Sequence, residues 1–507
     1  MSRKPLLPRL QARAAALILR PVRGTPIVIG CIVLYAMLLV PILAGVKFPE
    51  DLFMDSAEAY AWGQQFLGGY GRHPPMTGWI AAIWYRVFPA ANWSSYALSE
   101  VMVVISLVCI YLIARRVLDP RRAAFVVFIM MLYPLFHLKS DRFSNWQVLL
   151  ALLPLLVLVF LKAFEKRTAA WGALLGLVAA AATLTYYSAL IGLLAIGLAA
   201  LLHRDRARFF ASPVPYCAAA VYFVALVPHL VWLIERDFPS VGWAQAQVGQ
   251  ANAFGSVLQY LKEQSVWYLM PLAGALLALW PLRTKPAGEV RPTRPDAFLV
   301  TVICAVMVAL PLLLALPLHV QLKANWGNPF FFLIPVVVLL AVPRLEMTRR
   351  SVASSALVAG AWLTIMVAVA PVYPWLNFYL RPNSGAYAPT AEMAQEVTRL
   401  WRERFKSPLR FVVSYFDLAS AVVFYSPDHP RMYADFEPAF SPWIDYPADL
   451  HREGFVGVCS EDNERCENEL DRIAPNAERV SLTLSRKFGG MVGRSMKVLV
   501  RIAGPES

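Results

Sequence analysis

Residues 54–80 read MDSAEAYAWGQQFLGGYGRHPPMTGWI, and they follow shortly after an apolar run at 26–46, PIVIGCIVLYAMLLVPILAGV. The first stretch opens on two carboxylates, Asp55 and Glu58, and closes on an Arg72-His73-Pro74-Pro75 turn. The run before it is long enough for a spanning helix, which needs roughly 20 apolar residues. Acid and base are therefore expected at a membrane boundary, where a charged lipid headgroup reaches both. That pairing favours an enzyme over a channel or a scaffold.

The rest of the chain agrees with a membrane setting. Of 507 residues, 58% are hydrophobic and 16% charged, with a mean hydropathy of +0.52. Soluble domains carry about 25% charged residues, so a soluble two-domain enzyme is excluded. Apolar runs recur near 26–46, 95–114, 123–138, 146–162, 170–185, 187–202, 213–234, 265–282, 297–317, 328–343 and 351–372, which predicts about eleven transmembrane helices. Alternate connections divide by charge. One set, from Arg3 through Arg115, Lys162, Arg204 and Arg283 to Arg350, holds 23 basic residues, and the other holds eight. The positive-inside rule makes the first set cytoplasmic. The net charge of +14 is thus a topology signal, and nucleic acid is disfavoured as a partner.

A cytoplasmic N-terminus and an odd number of spans put the chain after about 375 outside. The division expected is a transmembrane unit at 1–378, with its first outer loop at 47–94, and an external unit at 379–507. The first helix is expected to be retained, because no small-residue cleavage site is evident. The tail holds 18 of the 33 acidic residues. Gln395–Arg404 looks helical; 410–415, 421–425, 454–459, 480–484 and 496–502 look like strands of a small α/β domain. Cys459 and Cys466 lie in this tail, close enough for a local disulfide that would persist in an oxidising compartment. In the first outer loop, Ser56–Leu67 suits a helix lying in the membrane interface, and Pro74-Pro75 starts a second helix with Trp79, Trp84 and Tyr85.

Moving a sugar off a phosphate-linked donor needs a carboxylate to take the acceptor proton and cations to hold the leaving phosphate. The outer loops offer both. Asp55, Glu58 and Asp141 are the candidate catalytic residues; Arg72, His73, Lys139, Arg142, Tyr187, Lys323 and Trp326 are the candidate substrate-binding residues. The three carboxylates are also the candidate ligands if a divalent cation is used. Each has a plainer reading: a helix cap for Asp55 and Glu58, a surface ion pair for Asp141, a snorkelling side chain for Arg72, packing against its prolines for His73, an interfacial anchor for Lys323 beside Trp326. His229 in VPHLVWL reads as structural. Rival functions are a transporter or lipid flippase, or an inactive scaffold for envelope assembly. Predicted spans nearly free of ionisable groups disfavour transport.

Five segments then carry a family resemblance: EAYAWG (58–63), GYGRHPPMTGWI (69–80), YPLFHLKSDRFSNWQVLL (133–150), ASPVPY (211–216) and VPHLVWLIERDFPS (227–240). In order and spacing they resemble the GT-C membrane glycosyltransferases that use lipid-phosphate sugars, in particular the bacterial protein-mannosyltransferase-like and lipid A aminoarabinose-transferase-like branch (families 39 and 83). FYSPDHP (424–430) and PWID (442–445) look like relatives that decorate lipopolysaccharide. The resemblance implies an inverting transferase of the bacterial inner membrane, acting on the periplasmic face between a polyprenyl-phosphate sugar and a lipid or glycolipid acceptor. It maps the base or metal ligand to Asp55 or Glu58, a second acid to Asp141, and a donor-phosphate contact to His73 beside Arg72. Two departures stand out. Relatives often carry an adjacent Asp-Glu pair, but here Ala57 precedes Glu58. They also often carry a lysine where this chain has Thr185-Tyr186-Tyr187, so Lys139 or Lys323 would have to replace it.

Overall fold

The computed structural model describes residues 21–22, 25–245, 252–281, 284, 294–323 and 327–505. Trp326 lies outside them, as do most of the N-terminal arginines used for topology. A helix occurs in every one of the eleven apolar runs. Among the described residues six are long and apolar enough to cross a membrane: Ile27–Val46, Asn92–Val117, Asn145–Lys166, Val214–Glu235, Asp296–Ala315 and Arg349–Val369. The other runs hold Pro120–Met130, Ala169–Thr183, Ala189–Leu202, Ala253–Leu279 and Ile334–Ala341. The protein is a multi-pass, mostly helical membrane protein.

Small residues let the helices close up where burying larger side chains gains nothing over lipid. A Cβ on Gly172 would meet the Val214 carbonyl oxygen at 2.6 Å, and Ala218 crowds Gly176 in the same way. Helices Ala169–Thr183 and Val214–Glu235 thus pack backbone to backbone along one small-residue stripe. Some of the basic residues that mark one membrane face also staple helix ends. Arg116 bonds Asp296 at 2.6 Å and Glu165 at 2.9 Å, joining the ends of three helices. Arg122, almost fully buried, donates to the carbonyls of Leu339, Pro343 and Leu345, satisfying backbone acceptors that the short helix before them leaves open.

The tail forms a five-stranded sheet in the order Arg431–Ala434, Phe411–Ser414, Phe455–Ser460, Met491–Ala503, Glu478–Phe488. The first three strands are parallel and the last two join antiparallel. Alternation divides each central strand between two cores. Phe411, Val413, Phe455 and Cys459 face Leu470 and Cys466. Val412, Val456 and Val458 face Met393, Val397 and Val422 on the opposite side. Cys459 and Cys466 are joined as a disulfide, their Cα atoms 5.8 Å apart.

Two expectations for local structure change. Residues 421–425 belong to helix Phe416–Tyr425, and Arg431–Ala434 is an unforeseen strand. The apolar run at 421–425 comes from a helix buried on nearly all sides, whose residues 419–424 are all covered. The first-loop helix, Met54–Gly63, is likewise no surface element: Ser56 to Trp62 are all buried. Helix Phe416–Tyr425 lies over it and Met76–Tyr85 beside it. Tyr60 meets Tyr85 and Phe424 edge-on at 4.9 and 5.2 Å. The alanines at 57, 59 and 61 leave room for both neighbours.

Candidate functional site

Where the first loop meets the tail, a cavity of about 750 Å³ opens, lined by Lys47, Glu50, Asp51, Arg72, Asp141, Arg142, Asp417, Asp435 and Arg494 among others. A second, of about 430 Å³, is lined by Lys139, Arg142, Trp146, Glu263, Trp267 and Lys323. Arg142 lines both, so the two spaces adjoin at its side chain.

Asp55 is in the wall of neither cavity but interacts with residues that are. The Trp146 side chain hydrogen-bonds its carboxylate, and Arg142 and Arg72 act on its charge. Burial pushes its pKa above the usual aspartate range, and those three contacts oppose the rise. Its neighbour one helical turn on, Glu58, faces inward and is almost fully buried. Burial raises the Glu58 carboxyl to about 8; Arg72 opposes this, while Asp55 and Asp417 add to it. At neutral pH Glu58 is therefore mostly protonated, whereas Asp55 keeps two arginines to stabilise its anion. Two carboxyls three residues apart are separated in chemical character by their surroundings.

Asp141 is held by Lys47 at 3.1 Å and by Arg142 at 3.8 Å. Lys47 also bonds Glu50 at 3.0 Å. Burial tends to lower the Lys47 pKa, but Asp141 and Glu50 outweigh it and hold the ammonium charged. Arg142 stacks over Phe53, 4.1 Å from the ring centre, which fixes its reach between the two cavities. Lys139 sits near the same group; burial and then the Arg142 charge lower its pKa.

Arg72 forms an ion pair with Asp435 from the tail and lies 4.1 Å over Phe416 and 5.2 Å from the Phe440 ring centre. Its turn requires Gly71, which has a φ of +46° and sits where a Cβ would strike the Phe440 Cα at 2.7 Å. His73 turns the other way. It packs against Trp62 and Tyr186, with ring centres 5.6 Å away in each case. Burial, then the charge of Arg72, lowers its pKa to about 3, so the ring is neutral at physiological pH. His73, mapped by the resemblance to a donor-phosphate contact, lines neither cavity; Arg72 lines the first, and Lys139, Arg142 and Lys323 line the second. Tyr187 lines neither cavity: its hydroxyl bonds His229 at 2.9 Å and Ser240 at 2.8 Å, and His229 reaches the Gly68 carbonyl at 2.6 Å. Its neighbour Tyr186 is the one near the site, 4.8 Å from Trp146.

Among the described residues, no three His, Cys, Asp or Glu side chains gather as a donor set for a metal ion. The carboxylates here converge on arginines and lysines. Sequence reasoning missed Asp417, Asp435 and Arg494, which reach the first cavity from the tail. No local motif marks them, because their relevance arises only when the tail folds back over the first loop.

With this geometry in view, two comparisons with known proteins are informative. Residues 72–232 match the family model described as dolichyl-phosphate-mannose-protein mannosyltransferase. That segment holds Arg72, His73, Lys139, Asp141, Arg142 and Trp146, the membrane half of the site. The fold superposes on ArnT from Cupriavidus metallidurans bound to undecaprenyl phosphate with a TM-score of 0.61 and 14% identity, over 93% of this chain and 98% of that one. The chain shares the fold of that ArnT. Apo ArnT from the same organism matches at 15% identity over 93% and 98%, with a TM-score of 0.48. The oligosaccharyltransferase AglB from Archaeoglobus fulgidus matches at 12% identity over 91% and 74%, with a TM-score of 0.33. Of these three, the first superposes well enough to show a shared fold. No curated protein matches the chain in sequence.

Proposed function

We propose that this protein is a GT-C enzyme that moves a sugar, with inversion, from a polyprenyl-phosphate donor to a lipid or glycolipid acceptor of the bacterial cell envelope, such as lipopolysaccharide or lipid A. The proposed setting is the inner membrane, crossed by about eleven helices. The N-terminus is cytoplasmic, and the two cavities and the unit from about 379 onward face the periplasm. The observation that carries the reading is the division of labour around Arg142: a cation-rich space on one side, a mixed acid–base space on the other, and Asp55 bonded to Trp146 and under the charge of Arg142.

In this reading the donor phosphate lies in the second cavity against Lys139, Arg142 and Lys323, with Leu135 and Trp267 offering apolar wall. The acceptor occupies the first. Asp55 takes the proton of the acceptor hydroxyl as its oxygen forms the new bond to the anomeric carbon. The bond from that carbon to the phosphate oxygen breaks, and the electron pair stays on the polyprenyl phosphate. The three cations stabilise the added charge. Burial raises the Asp55 pKa and so makes it the stronger base, while the two arginine charges oppose that rise. Glu58, buried and protonated, lies one helical turn behind Asp55. Asp141 holds Lys47 and Arg142 in position. Asp55, Glu58 and Asp141 do not gather as a donor set among the described residues, so no step is assigned to a divalent ion.

The test is sugar transfer by purified protein given polyprenyl-phosphate sugars and envelope lipids, with Asp55, Glu58 and Asp141 each changed to alanine. Full activity in all three variants would remove this mechanism. Release of polyprenyl phosphate with no sugar appearing on any lipid would remove the acceptor assignment.

A further inference from the structure

A third space, of about 420 Å³, lies beside the first cavity and belongs to no part of the mechanism above. It sits where three remote segments meet: the end of helix Ile27–Val46, the start of helix Asn92–Val117, and the turn between strands Glu478–Phe488 and Met491–Ala503. It shares Lys47, Glu50, Asp51 and Tyr96 with the first cavity, so the two spaces have a wall in common. We infer that this is the lateral port through which the acceptor enters, and that it selects an acyl-chain amphiphile with an anionic headgroup. The inference rests on the proposed transfer reaction and adds the acceptor's route and charge.

The walls carry both halves of such a ligand. Ala44, Phe48, Trp93 and Phe488 supply apolar and aromatic surface. Phe48 and Trp93 are 66% and 44% exposed, at the ends of two strongly apolar helices where an aromatic residue suits headgroup depth. Lys47, Arg486 and Lys487 supply three positive charges against the two carboxylates of Glu50 and Asp51. Arg486 is fixed by Asp51 at 2.5 Å and by Glu392 at 3.0 Å, and Lys47 by Glu50 and Asp141. Lys487 is exposed and has no ion pair among the described residues. It is the cation positioned to meet an incoming anion.

The strand turn that forms the outer jamb is pinned. Phe488 lies 5.8 Å from Phe48 and 4.4 Å from Trp375, ring centre to ring centre. Gly489, at a φ of +56°, fits so closely on Trp375 that any side chain there would overlap the indole. Lys487 pairs with Val492 across the turn, and Val492 is 63% exposed, which gives the tip one charged and one apolar prong. A bilayer surface accepts that combination, with basic groups at the headgroups and apolar ones beneath.

The test uses full-length protein in detergent, with a photoreactive benzoylphenylalanine in place of Trp93. The probes are phosphatidylglycerol, phosphatidylcholine of the same chains, and soluble glycerol phosphate. The port predicts labelling by phosphatidylglycerol well above phosphatidylcholine and none by glycerol phosphate. Lys487→Glu should lower the phosphatidylglycerol signal about tenfold, the scale set by roughly one to two charges near a lipid surface. It should also raise the KM for the lipid acceptor and leave the KM for the donor and kcat near wild type. Lys487→Ala, which disturbs the fold least, should show the same changes more weakly. Equal labelling by both lipids, labelling by glycerol phosphate alone, or unchanged acceptor KM in Lys487→Glu would overturn the port. If Asp55→Asn abolishes transfer while Lys487→Glu changes nothing, the transferase reading stands and the port falls; if sugar transfer is absent from the unmodified protein, the reading beneath it falls.

Discussion

Arg72 and Asp435 form an ion pair across 363 positions of sequence, and with it the tail closes over the first loop. Asp435 also accepts the Phe416 backbone N–H at 3.1 Å, so one carboxylate fixes both the guanidinium and the start of the overlying helix. Removing either partner leaves a mostly buried charge uncompensated. Arg72→Ala and Asp435→Asn should each lower stability by on the order of 2–3 kcal/mol, with the double variant costing far less than the sum. Thermal unfolding of the four proteins in detergent measures this. Strict additivity would show that the pair does not hold the tail in place.

Asp55→Asn removes the base but keeps the side chain's shape and its bond to Trp146. It should reduce kcat by about 10²–10⁴, with the KM of both substrates little changed and the unfolding midpoint kept. Steady-state kinetics alongside a melting curve decide it. An equal fall in Asp55→Asn and Glu58→Gln would reopen which carboxyl is the base.

Glu58 gives a pH signature. Its folded-state pKa of about 8 lies above the unfolded value near 4.5. The folded protein therefore binds more protons than the unfolded chain between these values, and the stability contributed by neutral Glu58 is lost as pH rises through about 8. The wild-type melting temperature should fall between pH 6 and pH 9, and Glu58→Gln should flatten that fall. His73 acts in the opposite direction and at lower pH. Its folded pKa of about 3 lies below 6.5, so its contribution is complete above pH 6.5 and declines as pH drops toward 3. A wild-type curve flat from pH 6 to pH 9 would contradict the burial of Glu58.

Much of the fold is legible in the sequence because lipid imposes a one-dimensional rule. Helix length and loop charge locate the apolar helices, and the short-apolar-run signal marks the strands at 411–414 and 455–460, the middle of 478–488 and the second half of 491–503. Residues 421–425 defeat it, because a helix covered on every side has no polar face to reveal its period. The site was half legible. Asp55, Asp141 and Arg142 lie in quotable motifs and do converge. Asp417 and Asp435 do not announce themselves, since their partners are Glu58 and Arg72, hundreds of residues away. His73 misleads for a physical reason: sequence shows a basic residue before prolines, but only packing against Trp62 and Tyr186 shows that it stays neutral.

The second cavity separates donor binding from chemistry. Lys139→Ala and Lys323→Ala should each raise the donor KM by about tenfold or more, as loss of a charge-assisted phosphate contact does. Their effect on acceptor KM should be small. Titration of undecaprenyl phosphate against the purified variants reads the same change without turnover. Unaltered binding in both would place the donor phosphate elsewhere.

The most direct measurement is mass spectrometry of envelope lipids from cells carrying the wild-type gene, the Asp55→Asn variant or no gene. A lipid heavier by one sugar residue should be present with wild type and missing from the other two. The same lipid at the same level in all three would contradict the transfer of a sugar by this protein.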